Sequence, residues 1–573
     1  MNSGRLSRRD ALAILGAGGL VSSIGRPDGA AAQPAASPLA AALARNDEAV
    51  RTLLERQVTD PASPWRGTLP DQNGLHWAGP AGGATETMTA SFIHPQSRFH
   101  DDRALLERIR LAAGFLERAQ SPQGNIDLLI TNFNSPPDTG FVVHNVATAA
   151  AIARKHGHEE IVRLLQPFLV KAGAGMTEGG VHTPNHRWVI CAALAQINEL
   201  FPDARYLRRI DEWLAEGIDI DNDGQFTERS TLVYNIVTDR CLIVMASKLR
   251  RPDLLEPVRR NLQALQYLLH ADGEVVSEIS RRQDQFTRGT VTGYWFPLTY
   301  MAVIDKDGRL ATLAARAAHG GARLSTLLEY PEVSRTLPAQ LPLPEDFEQT
   351  FNDIGIARIR RGPLSATLVL GGSSRFFTLR YGNAVMEGIR FATSFFGKAQ
   401  FIPQTAVRRG DPPSRVRYGE AATFEFRQSL EAPYYQPLGE KVTTGNWAES
   451  RVRRRQSEVC RLEQSADVSE MKNGFRVRVR ADGTKGVPLA IELCFREGGQ
   501  LDGCRPIPDA PGTFVLEQGR GQYRAGGQEI RFGPGDAPHR YVQVRGAEPR
   551  LPGLSVYITG FTPFERVIEL QCA

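Results

Sequence analysis

The sequence predicts a two-part α+β protein, with a helical N-terminal half followed by an all-β C-terminal half. In the first half, from about Pro38 to Leu327, apolar residues recur at three- and four-residue spacing in helix-length segments. In the second half the apolar spacing changes to two, which is typical of half-buried strands. A stretch with four prolines separates the halves and is predicted to be a linker, because proline cannot continue a helix.

The helical half is predicted to contain about ten to twelve helices, with the α-hairpin as the repeating unit. Short turns rich in Gly, Pro, Asn and Asp separate the segments. Consecutive hairpins over this length favour either a solenoid or a toroid. The clearest helical segments are Arg103 to Ala119, Val143 to His156, His158 to Ala172, Asn185 to Leu200, Tyr206 to Glu216, Ser230 to Leu249 and Leu254 to Leu269.

The C-terminal half is predicted to be large enough for a sandwich of two sheets. Its strand-like segments alternate apolar and polar residues or are rich in β-branched residues, with Gly and Pro between them. These segments are Ile354 to Arg360, Ser365 to Leu370, Ser374 to Tyr381, Ala422 to Ser429, Gly474 to Arg480, Leu489 to Phe495, Tyr541 to Val544 and Leu554 to Thr559.

Residues 1–32 are predicted to be a twin-arginine export signal. The pair Arg8-Arg9 is followed by the weakly apolar run Ile14 to Val21 and by three alanines that end at Ala32. Basic, apolar and small-residue parts in this order are read by an export receptor and removed from the mature chain. We therefore expect the twin-arginine machinery as a partner, a mature chain that begins near Gln33, and a periplasmic or secreted location.

The bulk composition excludes several other classes of partner. Removal of the four arginines and two aspartates of the signal takes the formal charge from +5 to +3. So small an excess argues against nucleic acid and is compatible with an acidic polysaccharide. No later segment offers the run of about eighteen apolar residues that a membrane helix needs, so no membrane is expected for the mature form. Six cysteines are too few for a disulfide scaffold, although one bridge in the second half is possible.

The most informative chemistry lies in the segment from Asp223 to Tyr234, taken together with Asn185 and His186 upstream. An amide can neutralise a carboxylate, and an imidazole and a phenol can move protons. These are the groups needed to remove the proton next to a carboxylate and to protonate a leaving oxygen. That combination indicates β-elimination from a uronate sugar.

The same segment resembles the heparinase II/III-like polysaccharide lyases, whose helical domains carry an Asn-His pair and a later motif close to D-G-S-x-x-E-x-S-x-x-Y-H. Asp223, Gly224, Glu228 and Ser230 match this motif, and Tyr234 follows with one extra residue before it. Gln225 replaces the usual Ser, and Asn235 replaces the usual His.

The resemblance implies an incomplete (α/α) toroid at residues 33–328, a linker at 329–347 and an antiparallel β-sandwich at 348–573. It also implies a polysaccharide lyase that acts on an acidic polysaccharide or oligosaccharide. In that reading Asn185 holds the substrate carboxylate, while His186 and Tyr234 share the roles of base and acid.

Further polar residues are predicted to line the same mouth of the helical domain and to bind substrate. An arginine fork binds planar carboxylates in a bidentate manner, which favours Arg281 or Arg282 as a subsite. The remaining candidates are Glu228, His144, Asn134 and Asn235.

No cofactor and no metal are expected. Residues 219–224 match the first half of a calcium-binding loop, but Ser230 stands where the twelfth position requires Glu. The acidic residues are better explained as caps and braces of the loop before Tyr234.

Three other functions remain open at the level of the sequence. A glycoside hydrolase would use carboxylates among Asp221, Asp223, Glu228 and Glu278 as acid and base. A uronate C5-epimerase would share the proton abstraction without elimination. A non-catalytic protein would only bind the glycan.

The export signal can be tested by charge-preserving substitution. Because the receptor reads the arginine pair and not the bulk charge, Arg8→Lys together with Arg9→Lys should leave the precursor in the cytoplasm. Fractionation of the bacterial cell measures this, with a single Arg5→Lys variant as control. Normal export of the double variant would contradict the predicted location.

Overall fold

A computed structural model describes residues 38–318, 322–410, 422–442 and 447–573 of the chain. The predicted export signal lies outside these residues. The described chain divides into a helical unit, residues 38–266 and 275–343, and a β unit, residues 267–274 and 344–573. No helix among the described residues is long and apolar enough to cross a membrane.

The described part of the helical unit contains twelve α-helices. They are α1 (Pro38–Arg56), α2 (Ala78–Ile93), α3 (Arg103–Ala119), α4 (Pro136–Lys155), α5 (Glu159–Glu178), α6 (Pro184–Leu200), α7 (Ala204–Ala215), α8 (Tyr234–Leu249), α9 (Leu255–Leu265), α10 (Trp295–Asp305), α11 (Gly308–Ala317) and α12 (Leu324–Glu329). A two-stranded hairpin, β1 (Ile126–Leu128) and β2 (Asn132–Ser135), precedes α4.

The helices form an inner and an outer layer. Helices α2, α4, α6, α8 and α10 pack against one another in that order, and each of α4, α6 and α8 is buried around most of its circumference. The outer helices are amphipathic; α7, for example, buries only Tyr206 and Ile210 among its own residues. This division follows from sequence, because a helix that is apolar on all sides must be surrounded by other helices.

The layered arrangement places the first turns of the inner helices at one end of the unit. Short connections, such as the one between α6 and α7, return the chain antiparallel along the outer layer. Every inner helix therefore runs in the same direction. The loops that precede α4, α6, α8 and α10 share one rim, where most of the candidate residues lie.

Several helix boundaries differ from the sequence prediction, among them the start of α4 and the end of α9. Helix α4 begins at Pro136, seven residues before the predicted start, because Ser135 caps it by accepting a hydrogen bond from the Asp138 amide and two prolines open its first turn. Helix α9 ends at Leu265, before the predicted end at Leu269, because the chain then leaves for the β unit.

The β unit contains the remaining described strands and one short helix, α13 (Trp447–Val452). The strands are β3 (Asp346–Phe351), β4 (Ile356–Arg361), β5 (Leu364–Val369), β6 (Phe377–Tyr381), β7 (Ala384–Thr393), β8 (Thr405–Arg409), β9 (Thr423–Tyr435), β10 (Gln456–Met471), β11 (Gly474–Gly483), β12 (Pro488–Phe495), β13 (Gln500–Asp502), β14 (Arg505–Pro506), β15 (Thr513–Val515), β16 (Gly521–Ala525), β17 (Gln528–Gly533), β18 (Leu554–Phe561) and β19 (Phe564–Cys572). The prediction of a strand at Tyr541 to Val544 is wrong. The backbone amides of Tyr541 and Val542 bond locally, to His539 and Arg540, and not to a neighbouring strand.

These strands form two sheets that pack face to face. One sheet has eight strands in the order β13-β16-β17-β19-β11-β10-β9-β8, and the other has nine in the order β14-β15-β18-β12-β7-β6-β5-β4-β3. All pairings are antiparallel except β15 with β18. Inward-facing residues of both sheets, such as Phe391, Ile491, Phe426 and Val477, form one hydrophobic core, as expected for a sandwich.

Residues 267–274 join the β unit although they lie in the middle of the helical part of the sequence. The buried guanidinium of Arg358 on β4 donates to the carbonyl oxygens of Tyr267 and Leu269, at 3.3 and 3.1 Å. Glu274 forms ion pairs with Arg380 and Arg496, at 2.9 and 3.0 Å. The chain returns to the helical unit at residue 275 and then forms the loop that carries Arg281 and Arg282.

Candidate active site

Asn185 and His186 lie in the first turn of α6. Thr183 has an extended backbone and precedes Pro184, whose fixed geometry suits the start of a helix. Asn185 is therefore not the cap residue, and its side chain is directed elsewhere. Its amide nitrogen donates to Oε2 of Glu228 and weakly, at 3.4 Å, to Oγ1 of Thr183.

The loop before α8 is braced from two sides. Asp219 accepts hydrogen bonds from Arg187 and from the Trp188 indole, both at 2.9 Å, which attaches the loop to α6. On the other side the Gly224 carbonyl accepts from Asn261 of α9 at 2.7 Å. Gly224 has φ +76°, and a Cβ atom there would lie 2.6 Å from a backbone oxygen of Arg260. Only glycine fits this turn, which brings the following residues to the rim.

Glu228 lies at the centre of the candidate site and is buried. Its Oε2 accepts from Asn185, and its Oε1 lies 3.3 Å from Nε of Arg282. Its backbone oxygen accepts from the amide of Arg281 at 3.0 Å. Burial raises the pKa of the Glu228 carboxyl above its ordinary value, and the contacts with Asn185 and Arg282 offset part of that rise.

Tyr234 opens α8 beside this group, and its amide donates to Ser230 Oγ at 3.0 Å. The Gln283 side chain donates to the Tyr234 hydroxyl at 2.8 Å, and the guanidinium carbon of Arg282 lies 5.1 Å from the centre of the Tyr234 ring. The Tyr234 hydroxyl and ring are thus both in contact with the loop that carries Arg282 and Gln283.

The sequence pattern does not single out Gln283 as a site residue. A glutamine directly after Arg281 and Arg282 carries no chemical signature by itself. Only the return of this loop to the rim, beside Tyr234, reveals its contact.

His186 is buried next to Asn185 and is uncharged at neutral pH. Its ring meets the ring of His182 edge to face, with 4.7 Å between the ring centres. Burial lowers the pKa of His186 to about 3, and His182 and Arg282 add to the effect. An imidazolium acid at this position is therefore not available near pH 7.

Asn185, His186, Glu228, Tyr234 and Arg282 thus come together, and four other predicted residues do not join them. The side chain of Arg281 is exposed, and the amide of Asn235 donates to Gln225 at 2.9 Å. Asn134 accepts from Ser121 at 2.7 Å on the β1–β2 hairpin. His144 lies in the helical interior, with its ring nitrogens 2.6 Å from Gln196 Oε1 and 3.9 Å from Cys241 Sγ.

No protein-family model matches this chain, and no curated protein matches it. Solved structures do. The chondroitin AC lyase of Streptomyces coelicolor A3, in complex with chondroitin sulphate, has a TM-score of 0.53 and 16% identity, with 95% of this chain and 81% of that chain covered. A xanthan lyase of Paenibacillus has a TM-score of 0.55 and 11% identity, with 93% of this chain and 57% of that chain covered.

The chain has the fold of these polysaccharide lyases. At so low an identity the likeness concerns the fold alone, and it confirms the predicted class, an (α/α) toroid followed by an antiparallel β-sandwich. A specific relation to heparinase II/III-like lyases stays a prediction.

The buried position of His144 predicts a sensitivity of stability to acid. Burial, with a contribution from Arg240, lowers the pKa of His144 to about 3. In the unfolded chain the His144 imidazole takes up a proton near pH ~6.5, whereas in the folded chain it stays neutral. The free energy of unfolding therefore falls as the pH drops through this range, and the loss reaches about 2 kcal/mol at about pH 5. His144→Gln removes this contribution.

Urea unfolding at about pH 7 and about pH 5 measures the effect. From about pH 7 to about pH 5, the free energy of unfolding should fall more in the wild type than in His144→Gln. This comparison does not depend on how the two proteins differ in stability at neutral pH. His76→Gln, at a less buried histidine, is the control for removal of an imidazole. Equal losses in the wild type and His144→Gln would contradict the assignment of a neutral buried imidazole.

Proposed function

We propose that this protein is an exported polysaccharide lyase that cleaves a uronic-acid-containing glycan by β-elimination. The observation that carries the proposal is the contact of a phenol, Tyr234, with Gln283 and Arg282 beside the Asn185 amide. The fold shared with chondroitin AC lyase and xanthan lyase supports the reaction class.

The first task of such an enzyme is to make the C5 proton of the uronate acidic. We assign Asn185 and Arg282 to the substrate carboxylate, because an amide and a guanidinium stabilise the negative charge that it gains when C5 loses its proton. Both groups are buried or half-buried, where such interactions are stronger than in water.

The second task is the transfer of the proton. In the proposed reaction the Tyr234 phenolate takes the C5 proton, the electron pair forms the C4–C5 double bond, and the C4–O4 bond breaks. The phenol then gives the proton to the departing O4 atom. His186 is assigned to neither step because it is neutral and a weak base; its ring packs between Phe141 and His182 beside Asn185.

Product analysis separates this proposal from its rivals. A lyase forms an unsaturated uronate that absorbs in the ultraviolet, whereas a hydrolase forms only new reducing ends. An epimerase leaves the chain length unchanged but inverts C5, and a binding protein leaves the glycan intact. Of the carboxylates considered for hydrolysis, Asp221 accepts a backbone hydrogen bond from Gln225 at 2.8 Å within its own turn, which gives it a structural role. A screen of acidic polysaccharides with ultraviolet detection is therefore the first experiment.

Tyr234→Phe tests the proton-transfer step. The substitution keeps the aromatic ring and removes only the reacting oxygen, so turnover should fall by about a hundredfold or more. The melting temperature should change little. Tyr206→Phe, in the outer helix α7, removes a buried phenol that packs against Gly173 of α5 and should remain active. Full activity of Tyr234→Phe would show that this tyrosine only packs the helix.

Asn185→Ala tests the stabilisation of the carboxylate. Because the amide acts mainly as charge develops, Asn185→Ala should lower turnover more than it weakens substrate binding. The expected loss of transition-state stabilisation is about 2 to 4 kcal/mol. Asn198→Ala, near the other end of α6, is the matched control. Steady-state kinetics with ultraviolet detection gives both quantities. A variant that loses binding but keeps turnover would contradict the assigned role.

A further inference from the structure

The groups that we assign to the substrate carboxylate already face a carboxylate of the protein. The Asn185 amide nitrogen donates to one oxygen of Glu228, and Nε of Arg282 lies 3.3 Å from the other. Glu228 is buried, and within the described residues neither its Oε1 nor the Arg282 Nε makes a hydrogen bond. The Glu228 carboxylate thus occupies the place of a bound anion, although it does not form a full hydrogen bond with the Arg282 guanidinium.

A substrate carboxylate that reaches Asn185 and Arg282 must come close to Glu228. Two ionised carboxylates that share one set of donors repel each other, and one of them is then protonated. Among the described residues, Arg282 offsets the charge of Glu228, and Asp219 from the same loop adds negative charge. Asn185 and the neutral His186 of α6 add no positive charge.

We propose that Glu228 is an internal competitor for the carboxylate-binding groups, and that binding of a uronate carboxylate is coupled to uptake of one proton by Glu228. The proton comes from the solvent. Once protonated, Glu228 no longer repels the substrate, and its O–H donates a hydrogen bond within the site. The proton returns to the solvent when the product carboxylate leaves.

Two features of the site agree with this coupling. Burial already raises the pKa of the Glu228 carboxyl, and a second anion nearby would raise this pKa further. In addition, Oδ1 of Asn185 is buried and has no hydrogen-bond partner in the part of the chain that the structure describes. After rotation of the amide it can accept a hydrogen bond from a protonated Glu228. The inference rests on the proposed function for the identity of the ligand.

Calorimetric titration with D-glucuronate tests the coupling, because this sugar carries the carboxylate but has no glycosidic bond to cleave. Titrations in two buffers of different ionisation enthalpy give the number of protons taken up. The wild type should take up about one proton per glucuronate bound, and its affinity should fall by up to about tenfold per pH unit above neutrality. D-Glucose is the control for the sugar ring without the carboxylate.

Glu228→Gln separates competition from simple positioning. The glutamine can still contact Asn185 but carries no charge, so this variant should bind glucuronate with no proton uptake, and more tightly than the wild type at about pH 8. Glu216→Gln, which removes a more exposed carboxylate paired with Arg187, should behave like the wild type.

Binding to the wild type without proton uptake would overturn the inference, and so would a folded Glu228→Gln variant that no longer binds glucuronate. The latter result would show that the carboxylate only orients Asn185. Absence of glucuronate binding by both proteins would also overturn it. Failure of the proposed function is distinct, since the ultraviolet assay of the wild type reports on elimination whatever the result for proton uptake.

Discussion

The candidate site depends on one buried carboxylate, Glu228, held between an amide and a guanidinium. A charge in the protein interior is costly unless other groups compensate it, and here those groups come from separate parts of the chain. Asn185 comes from α6, and Arg282 comes from the loop that follows residue 275. The contacts of Glu228 with Asn185 and Arg282 therefore fix the position of the later loop relative to α6. They also bring Gln283 to the hydroxyl of Tyr234.

Much of this arrangement is predictable from sequence because its signals are local. Asn185 and His186 are marked by a proline-opened helix, and Tyr234 by a glycine turn and an acidic loop. The alternation of inner and outer helices then places both helix starts on one rim. The fold class is predictable for the same reason, since the change of apolar period from about 3.6 to 2 is visible without any long-range information.

The failures have a common physical origin in long-range packing. His144 lies on α4, which is apolar nearly all round, so the sequence does not show which side of the helix faces the rim and which faces the interior. The structure directs its ring to Gln196 and Cys241. Likewise nothing local indicates that the chain after α9 leaves the helical unit, because the partners of that segment lie about ninety or more residues later.

The excursion of residues 267–274 makes the two structural units discontinuous in sequence. A polypeptide that begins in the proline-rich linker would contain every strand of the sandwich yet lack these eight residues. Arg358 would then keep its buried guanidinium without the carbonyl oxygens of Tyr267 and Leu269. Conversely, a protein nicked once within the linker would still hold the missing segment in its N-terminal piece, so the two pieces are expected to remain associated through it. The gene therefore cannot be divided at the linker into two self-sufficient domains.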